Sequence, residues 1–553
     1  MVDIELAKAV AQALKRAQKK GALPHFELPE TIPIERPKQG ELGDFATPVC
    51  MQLARFARMA PVRIAEAVVQ HLPELPFLAS AEVAHPGFIN FRLSESWLTA
   101  QVEEILAQPE SFGSVQLGTG RVQVEFVSAN PTGPLHMGSA RNAALGDAIA
   151  SLLEAAGYQV EREYYINDAG SRMQAFYETL YARYAQALGR DEPVPEEGYH
   201  GAYMVRLGEE IARECGPRFL KMPREEAIRE IGALGLKKVI AQAKEDLALM
   251  GIHYDNWFSE QSLYTNGQFD RVMTLLRERG YLDFHDGAVW FKATLLGGPK
   301  DEVIVRSDGT PGYFASDIAY HYNKFIERGF DRVIDVWGAD HQGHVPRMKA
   351  MMKALGLDPE RLVIILYQLV TLKRRGEIVR LSKRTGDIIT LREVVEEVGA
   401  DAMRYFLLSR SADSQMDFDI ELAKEQSEEN PVYYIQYAHA RICSILRHAK
   451  GMSFDDGDVS LLTSEPELAL IRQMIRLPEV VRLAARQLAP HHLAYYAYEL
   501  AAAFHAFYRD CRVVSSEPGD EAITKARLKL VSACRIVLAR ALGLMGMSAP
   551  EVM

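Results

Sequence analysis

Cysteine is scarce and scattered in this chain of 553 residues: five in all, Cys50, Cys215, Cys443, Cys511 and Cys534. An odd number without a Cys-x-x-Cys pair excludes a disulfide framework and a cysteine-bound zinc as organising devices. Long apolar runs are missing too, since no stretch reaches the roughly 18 to 20 residues that span a bilayer. The N terminus carries Asp3, Glu5, Lys8, Lys15 and Arg16 where a secretory leader needs an apolar core. Leu6, Val10 and Leu14 there read as the apolar stripe of a helix. An excess of positive charge is also lacking: the net charge is -11, which argues against wholesale coating of nucleic acid. A local basic surface stays open, because from Asn430 onward basic and acidic residues nearly balance. These absences predict a reducing, cytoplasmic setting, no membrane partner and no structural metal.

What is present is the composition of a folded protein, 48% hydrophobic and 25% charged, long enough for three or four domains. Residues 1–112 mix helical patterns with one clear strand, 87–93, and end in a Gly/Ser-containing linker, which predicts a small α+β domain. Residues 121–127 alternate Val122, Val124 and Phe126 as a strand does, and Asn130-Pro-Thr-Gly-Pro134 is a sharp turn. A helical pattern over 139–156 stops at Gly157, and a second strand covers 159–166. Strand, turn, helix and strand in succession make a β-α-β unit of a parallel sheet, whose ligands sit at the carboxyl ends of the strands. Residues 175–300 look mostly helical and charged, as an insertion into that sheet, before strands return near 333–337 and 362–367. Beyond about residue 430 long helical patterns cover 431–448, 468–487, 491–512 and 522–544. The expected plan is an N-terminal domain 1–112, a catalytic domain 113–390 of Rossmann-like fold with its insertion, a connecting segment 391–430 and an all-α domain 431–553.

Three constellations carry chemistry. The first, Leu135-His-Met-Gly-Ser139, puts an imidazole (His136) and a bare backbone (Gly138) at a helix N terminus, where phosphates and an adenine approach closely. Taken alone, such a histidine reads first as a helix cap. The second is Arg380-Leu-Ser-Lys-Arg-Thr-Gly-Asp387, whose Lys383 on a glycine-containing loop suits the charge that builds on departing pyrophosphate; a solvated cationic surface is the plainer reading. The third is Trp337-Gly-Ala-Asp-His-Gln-Gly-His344, where Asp340 suits ribose hydroxyls. His341 and His344 also raise a metal, against which stands the want of a third ligand at persuasive spacing.

In this order and at these separations the three constellations resemble the signatures of class I aminoacyl-tRNA synthetases, over the entire chain. Within that class the pattern looks like the arginyl-tRNA synthetase family: Ser128-Ala-Asn-Pro-Thr-Gly-Pro-Leu-His136, Asn167-Asp-Ala-Gly170, Gly312-Tyr-Phe-Ala-Ser-Asp317 and Gly338-Ala-Asp-His-Gln-Gly-His344. Gly40-Glu-Leu-Gly-Asp-Phe-Ala46 resembles the family's N-terminal addition, which touches the tRNA elbow. The terminal helices, with Tyr433, Tyr434, Tyr437 and Arg441, look like its anticodon-binding domain. The resemblance implies ATP with Mg2+, L-arginine and tRNA(Arg) as ligands, a monomer, and arginyl-adenylate as intermediate, transferred to the 2′-hydroxyl of the terminal adenosine. It further implies that tRNA is bound even for the first step.

It also implies roles: His136, Gly138, Asp340, Arg380, Ser382 and Lys383 on ATP, and Glu125, Asn130, Tyr313, Asp317 and His341 on arginine. Tyr433, Tyr437 and Arg441 are expected on tRNA, by stacking on unpaired bases, although each also reads as part of a helix core. Guanidinium, a planar cation with five donors, calls for carboxylates and perhaps a phenol, and Tyr313 and Asp317 lie four apart at the start of a predicted helix. The chain departs from the class pattern at Ser139, where a second histidine is usual; with His136 and Lys383 it is expected to be catalytic, donating a hydrogen bond or capping the helix, and the positive charge it cannot carry is either lost or supplied by another group such as Arg141. Three rivals remain at this level: a class I synthetase for another amino acid, a non-catalytic RNA-binding relative, and a small-molecule nucleotidyltransferase.

Overall fold

The computed structural model of the protein describes residues 1–37, 42–380 and 388–553. Its organising element is a five-stranded sheet made of β1 Arg121–Glu125, β2 Gln159–Ile166, β3 Asn256–Ser259, β4 Arg332–Gly338 and β5 Leu362–Tyr367, in the order β5-β4-β1-β2-β3. Every neighbouring pair is parallel. The chain runs outward from β1 through β2 to β3, then restarts on the other side of β1. That reversal opens a crevice at the carboxyl ends of β1 and β4, where open parallel sheets take their ligands.

The helix after β1, α1 Met137–Ala155, is buried on nearly all sides. Small residues let it lie that deep. A Cβ at Gly146 would stand 2.1 Å from Cγ of Phe126, so only glycine permits this approach of helix to strand end. Asn142 on the same helix accepts the Val127 N–H at 2.8 Å and donates to the Val336 carbonyl at 2.9 Å, which ties the ends of β1 and β4 together. The tie holds the chain just past β1 in the left-handed region, with φ of 67° at Val127 and 42° at Ser128. A β-branched residue adopts that conformation only under restraint, at a cost on the order of 1 to 3 kcal/mol.

Between β2 and β3 come the helices Ser171–Ala187, Ala202–Cys215 and Arg224–Leu249, packed around an apolar cluster of their own. Within the stretch expected to be helical lie β3 and two strands of a three-stranded antiparallel sheet, Leu282–His285 and Ala288–Phe291, whose third strand, Glu302–Val305, falls just beyond it. Strands of four residues are too short to show a period of two, which is why the sequence pattern hid them. The helix α2 Tyr313–Tyr322 follows and runs into one π turn, Asn323–Glu327. The helix α3 Val345–Ala354 connects β4 to β5.

The N-terminal module has a three-stranded antiparallel sheet, in which Phe88–Leu93 pairs on one side with Phe45–Thr47 and on the other with Leu78–Ala84. The chain ends in the helices Pro431–His448, Glu465–Met474, Leu477–Gln487, His491–Asp510 and Glu521–Leu544. The expected single helix 468–487 is thus two. Pro478 has no N–H to give and crowds the preceding turn, so the helix restarts with the proline in its first turn. Ion pairs join the two terminal modules: Arg36 grips Glu479 with two bonds of 3.0 and 2.9 Å, Arg472 meets Asp44 at 2.8 Å, and Arg482 meets Asp3.

Candidate active site

A cavity of about 1240 Å³ opens at the carboxyl ends of β1, β2 and β4. Into it the sheet, the start of α1 and the start of α2 bring Glu125, Asn130, His136, Gly138, Ser139, Tyr313, Asp317, Asp340 and His341, residues scattered over more than 200 positions. His136 is the N-cap of α1, and its Nδ1 accepts the Gly138 N–H at 3.0 Å. The proton of the neutral ring therefore sits on Nε2. Crowding by protein at the cavity rim holds the imidazole below its ordinary pKa, which favours that neutral form. A Cβ at Gly138 would lie 2.8 Å from Cε1 of His136. Glycine there makes room first of all for the imidazole, where adenine was the expected neighbour. Ser139 is buried, with its N–H on the His136 carbonyl at 2.9 Å.

Arg141 does not supply the charge that Ser139 lacks. Its guanidinium is fully buried and donates to the carbonyls of Gln368, Ser414 and Ser411 at 2.6, 2.9 and 2.8 Å. It fastens α1 to the loops after β5 and before residue 416.

The floor of the cavity is acidic. Glu125 and Asp335 stand side by side on β1 and β4, and Lys324 from the π turn lies between them, 2.5 Å from Glu125 Oε2 and 2.9 Å from Asp335 Oδ1. The extra residue of the π turn aims this ammonium at the floor. Burial works against its charge, but the two carboxylates outweigh burial and keep Lys324 protonated above the usual lysine pKa. Burial raises the Glu125 carboxyl in spite of Lys324, whereas Lys324 and His321 hold Asp335 well below the carboxylate range. His321 donates through Nδ1 to the Asp317 carbonyl at 2.8 Å and meets Asp335 through Nε2 at 3.0 Å. Both ring nitrogens face acceptors, which fixes the plane of the imidazole against Asp335.

Asp317 differs from these acids. Its carboxylate has no hydrogen bond or ion pair among the described residues, and burial raises its pKa despite the charges of His321 and Arg347. Tyr313, one turn earlier, projects into the cavity with half of its surface free. Behind Asp317 lies Glu260, buried, bonded to Ser316 and Tyr165, and pushed up to about 7 chiefly by burial. One of its oxygens, Oε2, is buried without a partner. Neither Lys324 nor Glu260 is legible as functional in the sequence: Lys324 sits within the π turn and Glu260 directly after the short strand β3, and neither belongs to a signature.

Asp340 and His341 are exposed on the same wall, with the His341 ring 6.0 Å from that of Trp337 and its Nδ1 3.5 Å from Nδ1 of His344. Among the described residues no three His, Cys, Asp or Glu side chains stand together as an ion cage. Arg380 is exposed at the end of the segment that follows β5. Ser382 and Lys383 lie outside the described residues.

Far along the chain the helices Pro431–His448 and His491–Asp510 carry an aromatic ladder. Tyr433 and Tyr437 stack at 6.0 Å, Tyr437 and His505 at 6.0 Å, and Tyr434 meets His505 at 4.5 Å. Arg441 lies over the rings of Tyr437 and Tyr508 at 5.2 and 5.3 Å. All are partly open to solvent, unlike the apolar residues between them.

Family models match three consecutive segments. Residues 5–93 match the arginyl tRNA synthetase N terminal domain, 101–428 the class I (R) tRNA synthetase catalytic domain, and 435–553 the DALR anticodon binding domain. An arginine–tRNA ligase of Dehalococcoides mccartyi is 54% identical over 99% of this chain and 98% of its own length. One of Caldanaerobacter subterraneus subsp. tengcongensis is 50% identical with the same coverage. The solved structure of Thermus thermophilus arginyl-tRNA synthetase superposes with a TM-score of 0.79, 25% identity and full coverage of both chains.

Proposed function

Because the chain belongs to the arginyl-tRNA synthetase family, class I enzymes that attach arginine to tRNA(Arg), we propose a division of labour within its cavity. The guanidinium of arginine meets Asp317 and Tyr313, with Glu260 behind them. The α-ammonium and carboxylate lie toward Glu125, Asn130 and His341. ATP lies across the N terminus of α1, with His136 and the backbone at Gly138 on its phosphates, Asp340 on its ribose, and Arg380, Ser382 and Lys383 closing over the phosphates. Mg2+ travels with ATP as a hard cation held mainly by phosphate oxygens, and Asp340 is the exposed carboxylate of that wall.

The observation that carries this reading is the unpaired carboxylate of Asp317. The floor acids Glu125 and Asp335 already have Lys324 as a counter-charge, whereas the side chain of Asp317 has no hydrogen bond or ion pair among the described residues, so it is the carboxylate that calls for a cation from outside. In the first step the arginine carboxylate attacks the α-phosphorus of ATP in line and pyrophosphate leaves. The chain contributes position and charge: the helix N terminus and the His136 Nε2–H face the phosphates, and the cationic loop takes up charge on the leaving group. In the second step the 2′-hydroxyl of the terminal adenosine attacks the arginyl carbonyl and AMP departs. The aromatic ladder of Tyr433 and Tyr437 with Arg441 takes the unpaired anticodon bases, and the N-terminal module meets the tRNA elbow. The enzyme acts as a monomer, and the five free thiols fit a reducing cytoplasm.

Arginine-dependent exchange of pyrophosphate into ATP, run with each of the twenty amino acids and with tRNA present, tests the assignment. Exchange with arginine alone, abolished by Asp317→Ala, is the expected result. Exchange with a different amino acid, or full exchange in the variant, overturns it.

A further inference from the structure

Three arginines line the cavity that the activation step leaves unused: Arg172, Arg306 and Arg347. None has a carboxylate within ion-pair distance among the described residues, in contrast to Arg162, Arg328 and Arg374 of the same catalytic core, each of which holds one. They gather around one short piece of chain. Arg172 lies 5.8 Å over the ring of Tyr313, and Arg347 lies 4.9 Å over the ring of Phe314, with its Nε buried and unpartnered. Arg306 opens the tight turn that leads to them, its backbone N–H on the Thr310 carbonyl at 2.9 Å. Arg172 and Arg306 are exposed at the cavity wall. The acid on the same wall, Glu302, has Lys300 beside it at 3.9 Å.

Such a wall is unexpected beside a pocket for a cation, since unpaired guanidinium groups repel the guanidinium of free arginine. It is explained if an anion arrives there during the reaction. The nucleotide wall lies on the elements after β4 and β5 and at the start of α1; only Arg347, on α3 after β4, borders it, whereas Arg172 follows β2 and Arg306 precedes α2. The remaining anion that the reaction brings into the cavity is the RNA itself, whose terminal ribose must reach the arginyl carbonyl with a phosphodiester one nucleotide bond away. We propose that Arg172 and Arg306, backed by Arg347, bind the phosphodiester of the 3′-terminal nucleotide of tRNA. This rests on the assignment of the cavity to arginine and ATP. Binding of the RNA end removes the repulsion felt by arginine, so the two ligands favour each other by the same factor in both directions.

The test is a cycle between protein and RNA. Affinities of the whole enzyme for tRNA(Arg), and for the same tRNA lacking its terminal adenosine, are measured for the native chain, for Arg172→Gln/Arg306→Gln and for Arg347→Gln, together with the affinity for ATP. The native enzyme is expected to prefer the full tRNA by about 10-fold or more, and the double variant to lose that preference while binding ATP as before. The slope of log affinity against log salt should fall by about one in the double variant, the contribution of the single phosphodiester it no longer neutralises. A double variant that weakens both tRNAs equally, or that weakens ATP and keeps the preference, overturns the proposal. Failure of the arginine assignment shows separately, as absence of arginine-dependent exchange in the native enzyme.

Discussion

Replacing Asp317 by asparagine removes one negative charge and almost no volume. In the free enzyme this carboxylate is partly buried, without a hydrogen-bond partner among the described residues, and burial raises its pKa. For an acid whose folded pKa lies above its unfolded value, the folded state disfavours the ionised form, so at neutral pH the charge works against folding. Asp317→Asn is therefore expected to leave stability unchanged or to raise it by about 1 kcal/mol, as substitutions of binding groups often do. Arginine binding should move the other way. A desolvated guanidinium that loses its charged partner costs about 2 to 5 kcal/mol, which corresponds to a weakening of roughly 30- to 4000-fold in Kd. Discrimination against citrulline, the neutral isostere of arginine, should fall with it, because the charge that tells them apart is gone. Titration calorimetry with both ligands, in the presence of tRNA, and urea unfolding of both proteins give the two readouts. An arginine affinity within threefold of the native value, or a variant less stable by more than 1 kcal/mol, refutes the reasoning.

Lys383→Ala is expected to slow arginine-dependent pyrophosphate exchange by about 100- to 1000-fold with little change in arginine affinity; a native rate removes Lys383 from the chemistry. Lys324→Met leaves Glu125 and Asp335 facing each other in a buried floor, and urea unfolding should show a loss of about 3 to 5 kcal/mol; a loss under 1 kcal/mol means that the ammonium is not what balances them. Tyr437→Ala should weaken tRNA binding by the roughly 1 to 3 kcal/mol of one stacked base, with Tyr437→Phe near native, and equal losses in both would point to the hydroxyl instead. With Glu260 titrating near 7, a bound guanidinium favours its ionised form and expels a proton. The KM for arginine should therefore fall as pH rises through about 7 and climb below it, and in Glu260→Gln this dependence should flatten.

The parallel core was legible because its signals are local: β1 alternates, α1 has a helical pattern closed by Gly157, β2 ends in the apolar run Tyr164–Ile166, and β5 is apolar from end to end. The Tyr313 and Asp317 pair was legible because four residues make one turn, and both side chains do enter the cavity. What stayed hidden depends on neighbours distant in sequence. Lys324 is an ordinary lysine on a helical stretch until a π turn swings it between strands that precede and follow it by 199 and 11 positions. Arg141, beside the first signature, looked free to meet a phosphate; three carbonyls from two other loops had already claimed it. Glu260 owes its character to burial, which no spacing reveals. The split of the expected helix 468–487 at Pro478 was readable, and apolar periodicity on either side masked it.

One helix connects these parts. The first residues of α1 present His136 to the cavity, Asn142 fixes the ends of β1 and β4, and Asp147, further along, meets the buried guanidinium of Arg404. Arg404 in turn donates to the carbonyls of Met545, at the end of the last helix of the chain, and Met250, at the end of the long insertion helix, at 2.7 and 2.9 Å. A Cβ at Gly546 would fall 1.8 Å from this guanidinium, so the turn that closes the anticodon-binding helices is shaped around it. A fully buried arginine loses any of these three partners only at the full cost of an unmet donor. Displacement of the last helix must therefore carry Arg404 with it or strip it of a partner, and Asp147 stands on the same rigid helix as His136. The packing thus gives the last helices of the chain and the end of α1 that carries His136 a shared mechanical element, with a charge at its centre that water cannot reach.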